Sequence, residues 1–193
     1  MITLTDRYLD ALSMAFHFHA KQRRKCTGTP FLGHPLRVSA CLMDWAESED
    51  EVIAALLHDT AEDCGGQKVI DAIRERFGDL VAGWVADCSD SLAEDPTKKA
   101  DWTERKLADI ARASTVDVAV RRIRLCDKID NARSLLDTYQ MFGEKTFEKF
   151  TAGKRILWYF RQMYEALKDG TPKALADELL RVVVELEKKV DCE

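Results

Sequence analysis

Residues 116–139 read VDVAVRRIRLCDKIDNARSLLDTY, and this stretch decides the class of fold. Its apolar side chains recur at helical rather than alternating intervals, which predicts one long helix. Ile123, Leu125, Ile129 and Leu135 mark that helix as core-forming, and Asp127 sits among them. An aspartate in such company needs a partner. A salt bridge to Arg124 or Lys128 would supply one, and a bound cation would supply another.

The same period dominates outward from this helix. Residues 5–22 carry Tyr8, Leu9, Leu12, Ala15, Phe16 and His19 at helical spacing. A basic loop punctuated by glycine and proline follows, RRKCTGTPFLG (23–33), and HPLRVSACLMDW (34–45) restarts a helix. Pro35 falls in its first turn, where a missing N–H costs nothing. Residues 50–60 read as a third helix, 67–78 as a fourth stopping at Gly78, and 80–90 as a fifth before the polar linker 91–101. Beyond it, 102–114, 153–169 and 172–189 are amphipathic helices. No alternating strand pattern, repeat or low-complexity tract appears. The expectation is an all-α helical bundle of about eight to ten helices, forming one domain over residues 1–193. Its C-terminal helices (153–190) pack on the rest; the amphipathic segment 174–190 could build a homodimer, but closing the domain's own core is its expected role.

With 193 residues, 46% of them hydrophobic, the chain is long enough to bury a proper core. A formal charge of −5 argues against broad attraction to nucleic acid or an anionic membrane. Phosphate binding must then rest on local basic clusters. Six cysteines are scattered without a CxxC pair, as expected of reduced thiols in a cytoplasmic protein. No stretch is apolar enough for a signal peptide or a membrane span.

The second informative stretch is ALLHDTAEDC, residues 55–64. On a helix, His58 and Glu62 stack one turn apart, as do Asp59 and Asp63. Three carboxylates this close repel one another unless protons or a cation neutralise them. The alternative is a solvated helix end facing water. His34, at the start of the second helix, and Asp127 add an imidazole and a carboxylate to the set from elsewhere in the chain.

The stretches QRRKCTGTPFLGHPLRV, AALLHDTAED, RFGDLV and RLCDKIDNARSL occur in an order that resembles HD-domain metal phosphohydrolases. The likeness is to the hydrolase domain of RelA/SpoT-type enzymes and their small stand-alone relatives, and with weaker matches at either end it spans residues 19–161. It implies a (p)ppGpp 3′-pyrophosphohydrolase, with a phosphorylated nucleotide as substrate. His34, His58, Asp59 and Asp127 match the family's metal ligands, and Mn²⁺ is the associated ion. Glu62 and Asp63 match the pair that handles the attacking water. Arg24, Lys25, Asn131, Arg155 and Tyr159 match positions that hold the nucleotide.

Each match has a plainer counterpart. Asn131 would otherwise be a helix-surface amide, the basic loop a solvated one and Tyr159 a core aromatic. His19 is expected to pack behind the ligands, Trp84, Trp102 and Trp158 to pack within helices, and Lys98 and Lys99 to sit in a solvated loop. Two departures bear on the substrate. Asp130 stands where relatives commonly carry histidine or an aromatic and adds negative charge, and Trp102 replaces a lysine. They keep open another phosphorylated nucleotide or dinucleotide cofactor as substrate. A different class of function, nucleotide sensing without turnover, is disfavoured because no candidate ligand is missing.

Overall fold

The computed structural model describes residues 2–92 and 100–191. Within them the chain forms eleven helices: α1 (Asp6–His19), α2 (Gly33–Met43), α3 (Glu49–Leu57), α4 (Thr60–Cys64), α5 (Gln67–Phe77), α6 (Asp79–Cys88), α7 (Trp102–Ala113), α8 (Val118–Phe142), α9 (Lys145–Glu148), α10 (Arg155–Leu167) and α11 (Lys173–Asp191). Of these, α4 and α9 have only five and four residues. The fold is all-α. Among the described residues, β pairing is limited to one isolated bridge between Arg23 and Pro30, at the neck of the basic loop. Lys98 and Lys99 lie outside the described residues.

The helix predicted around Asp127 is the organising element. α8 runs for 25 residues and buries side chains on all its faces, among them Val120, Ile123, Cys126, Ile129 and Leu135. A helix enclosed all round belongs in the interior, and α8 packs against α2, α3, α6, α10 and α11. Asp117 caps it by accepting a hydrogen bond from the Ala119 N–H at 2.8 Å. The apolar face of α11 (Leu175, Leu179, Val182, Val183, Leu186) is spent inside the chain, against α8 and α10. Trp84 is buried, whereas Trp158, expected to pack, is 41% exposed.

α8 carries charges into this interior, and each is matched. Arg122 donates to both carboxylate oxygens of Glu51 at 3.0 Å and to Glu47 at 3.0 Å. Arg124 donates to Asp109 at 2.5 Å. Burial pushes the Glu51 carboxyl upward even beside Arg122, so truncating the arginine strands a buried acid. Arg122→Ala is expected to cost about 3–5 kcal/mol, read by chemical denaturation. Replacing Glu51 as well, with methionine, should recover most of that loss.

Two junctions place the site. At Gly78 the backbone takes φ 94°, so α5 ends and α6 begins at the next residue. Between α3 and α4 the helix predicted over 50–60 stops at Leu57 instead, and Thr60 Oγ1 donates to the Leu57 carbonyl at 2.6 Å. His58 and Asp59 therefore occupy a joint, with Asp59 at φ −94°, ψ −8°. They do not share one continuous helix with Glu62 and Asp63.

Candidate active site

The joint between α3 and α4, the start of α2 and the middle of α8 converge. His34 Nε2 lies 3.2 Å from Asp59 Oδ2 and 3.2 Å from Asp127 Oδ1. His58 Nε2 lies 3.2 Å from Asp59 Oδ2 and 3.7 Å from Asp127 Oδ1. Ligand atoms set about 2.0–2.2 Å from a common ion are separated by such distances. Both imidazoles present the right atom. His34 Nδ1 is hydrogen-bonded to Asp130 Oδ2 at 2.6 Å, and His58 Nδ1 to the Ala55 carbonyl at 2.8 Å. In its neutral form, with the proton on Nδ1, each imidazole turns its Nε2 lone pair to the cluster. His58 Nε2 is buried without a hydrogen-bond partner. Two imidazole nitrogens and two carboxylate oxygens fit a divalent cation.

The electrostatics agree with that donor set. Burial disfavours a charged imidazole, yet hydrogen bonds to Asp127, Asp130 and Asp59 push His34 up to about 9. His58, also opposed by burial, is raised well above its usual value by Asp59 and Asp127. Asp59 and Asp127 are held below the carboxylate range: the imidazoles, and for Asp127 also Lys128, outweigh burial. The cluster demands positive charge, which protons supply in the absence of metal. The sign for stability follows. Because His34 titrates higher when folded, its contribution is complete below pH ~6.5 and is lost as pH rises through about 9. Metal-stripped protein should lose about 3 kcal/mol across that window, followed by thermal melts. Saturating divalent metal should flatten the loss.

Above the cluster opens a cavity of about 370 Å³. Glu62 and Asp63 line it from α4. Burial and the carboxylates of Asp90 and Asp59 push Glu62 up to about 7, and its Oε2 accepts the Asp90 N–H at 3.1 Å. Asp90 itself stays well below the carboxylate range: burial opposes ionisation, but Lys106 at 2.7 Å and Arg105 at 2.6 Å prevail. Asp63 accepts from Gln22 Nε2 at 2.7 Å, and Gln22 Oε1 meets His19 Nδ1 at 2.6 Å. His19 is buried behind the ligands, and the Phe31 ring lies between it and His34, with centroids 5.0 and 5.4 Å away.

Asn131 donates through Nδ2 to Asp127 Oδ1 and accepts from Arg24 Nη1 at 3.2 Å. Arg24, Lys25, Asn131 and Tyr159 all line the cavity. The Tyr159 hydroxyl donates to Asp109 at 2.6 Å, and its ring carries Lys106 Nζ at 4.9 Å and Lys128 Nζ at 5.5 Å from the centroid. Of Asp127's two expected salt-bridge partners, Lys128 reaches its Oδ2 at 2.5 Å, while Arg124 turns to Asp109.

Arg155 does not join the cavity lining. Its guanidinium lies 5.1 Å from the Trp102 ring centroid and donates to Thr103 Oγ1 at 2.9 Å, tying α10 to the start of α7. Trp102 packs against the core, as expected, and also lines the cavity. Asp130 stands beside the site, as expected. Its negative charge is matched by Arg37 at 2.5 Å and Arg24 at 3.6 Å. Asp90, Asp109, Lys128 and Gln22 were not picked out as site residues, because no spacing announces them.

A family model described as HD domain matches residues 11–151. The mouse protein named guanosine-3′,5′-bis(diphosphate) 3′-pyrophosphohydrolase MESH1 is 35% identical over 130 residues, 66% of this chain and 68% of that protein. The zebrafish (Danio rerio) protein of the same name is 30% identical over 182 residues, 92% of each. An Aquifex aeolicus guanosine-3′,5′-bis(diphosphate) 3′-pyrophosphohydrolase is 34% identical over 141 residues, 67% of this chain but only 18% of that longer protein. Among solved structures, one described as a metazoan ortholog of SpoT that hydrolyzes ppGpp superposes with TM-score 0.78 at 25% identity, over 95% of this chain and 97% of the other.

Proposed function

The chain belongs to the HD domain family, and from that premise we infer that it is a metal-dependent phosphohydrolase that removes pyrophosphate from the 3′ position of ppGpp. The names of its relatives support this substrate. The observation that carries the reading is the convergence of His34, His58, Asp59 and Asp127 at the floor of a cavity edged by Arg24, Lys25 and Asn131.

A divalent ion held by those four side chains, which we take to be Mn²⁺, would supply Lewis acidity toward water and phosphate oxygen. The protein's own groups do the rest. Glu62, poised near neutrality, accepts the proton of the attacking water. Asp63, braced by Gln22, orients that water. The water oxygen bonds to the 3′ phosphorus, the bond from phosphorus to the ribose 3′ oxygen breaks, and the proton passes from Glu62 to that oxygen, giving GDP and pyrophosphate. Arg24 and Lys25 meet phosphate and base, Asn131 fixes the substrate beside Asp127, and Tyr159 closes the far wall. Arg155 acts through the Trp102 ring. We read residues 1–193 as one domain, because a single apolar core runs from Ala11 to Val190. Free thiols at the five described cysteines support a reducing, cytoplasmic setting.

The test incubates metal-stripped protein with ppGpp, with and without Mn²⁺. Pyrophosphate and GDP formed only with metal are the expected result. No product from protein shown to hold metal overturns the substrate, and nucleotide that stays bound but intact would instead mark a sensor. A second reading keeps the chemistry and takes a phosphorylated dinucleotide cofactor. It is favoured by Trp102, which lines the cavity and offers aromatic surface to a second base. Competition between the two substrates separates them.

A further inference from the structure

The two candidate histidine ligands are oriented in different ways. His58 is held by a main-chain carbonyl, that of Ala55, which no side-chain replacement removes. His34 depends on a side chain, Asp130, whose Oδ2 meets its Nδ1 at 2.6 Å. Asp130 lies three residues after Asp127 on α8, so the two carboxylates sit about one turn apart and the His34 ring spans them, Nε2 to one and Nδ1 to the other. Asp130 is in turn gripped from α2 by Arg37, which lies three residues after His34. Arg37 Nε reaches Oδ1 at 2.5 Å and Nη2 reaches Oδ2 at 3.2 Å.

A neutral imidazole has one N–H and one lone pair. With the proton on Nδ1, the lone pair on Nε2 points at Asp59 and Asp127, where a cation fits. The opposite tautomer would aim an N–H into the cation position and turn a lone pair against the Asp130 carboxylate. Both ends would then be repulsive. We propose that Asp130 is a positioning residue of the reaction: it selects the tautomer and fixes the ring angle of His34 for metal ligation, and Arg37 holds the carboxylate in place for that task. The proposal rests on the metal-centre reading above. Arg24 ties this device to the substrate loop, since one of its nitrogens lies 3.6 Å from Asp130 and the other donates to Asn131.

Asp130 and Arg37 also line a second cavity, of about 720 Å³, so removing the carboxylate enlarges existing space rather than sealing a void. The experiment titrates Mn²⁺ calorimetrically into metal-stripped wild type, Asp130→Ala and Asp130→Asn, with thermal melts and ppGpp kinetics beside it. Asp130→Ala should weaken Mn²⁺ binding about 10–100-fold, and saturating metal should restore much of its kcat. Asp130→Asn, whose amide oxygen still accepts from Nδ1, should recover most of the affinity. Mn²⁺ binding within twofold of wild type in Asp130→Ala would overturn the proposal, as would an Asn variant that folds like wild type but binds as weakly as the Ala variant. Wild type that binds no divalent ion would instead sink the metal-centre reading itself.

Discussion

Asp127→Ala is expected to abolish turnover, by at least ~10³-fold, and to remove tight divalent-metal binding with it. The loss should exceed the 10–100-fold typical of a residue that only supports a ligand. Asp127 is enclosed by the bundle, with Oδ1 facing both histidines and Oδ2 held by Lys128. Alanine removes the carboxylate oxygen that faces both histidines and leaves the half-buried Lys128 ammonium without its nearest counter-charge. Asp127→Asn is the control. It keeps the volume and should fold, yet still fail to bind metal tightly. Calorimetric metal titration and ppGpp turnover measured on the same preparations decide the matter. A variant that folds, loses metal and still turns over would show that the cluster is not the catalytic centre.

Glu62→Gln is expected to lower kcat by about 10²–10⁴-fold while leaving metal affinity near that of wild type. The amide is close in size to the carboxyl and keeps an oxygen for the Asp90 N–H, but it cannot take a proton. Burial and the neighbouring Asp90 and Asp59 carboxylates bring Glu62 to about 7 in the metal-free protein. A bound cation favours the carboxylate, so the wild-type kcat should rise with pH through a limb centred at or below 7. The glutamine variant should lack that limb. If the limb persists with kcat unchanged, Glu62 is not the proton acceptor, and Asp63 becomes the residue to test.

The two carboxylates show how much of the site is legible in a sequence. Glu62 and Asp127 were singled out because their types and positions clash with a plain helical reading: one belongs to an acidic crowd, the other lies on an apolar face. His34 and His58 follow from the same ordered motifs. Asp130 was legible as a residue but not as a role. Its charge bears on the substrate in the sequence, and only its partners, His34 and Arg37 on α2, give it a place in the site. Asp90 carried no signal at all. It acts on Glu62 only because the end of α6 reaches α4, and the two residues are 28 positions apart. Arg155 matches a family position that holds the nucleotide, but a match in sequence does not fix a side chain's direction, and its guanidinium turns onto Trp102.

What the sequence determined by itself is the helical class, the central helix around Asp127 and the presence of residue types able to take a cation. Helical period and side-chain chemistry are local, so a single chain of letters carries them. Only the tertiary structure decided which nitrogen of each imidazole is bare, which acid is raised toward neutrality and which stays ionised. It also decided which cations face the cavity. Those properties are set by burial and by hydrogen bonds between elements far apart in the chain: α2 against α8, and α4 against the end of α6. They come into being only when packing removes water and fixes each group's neighbours.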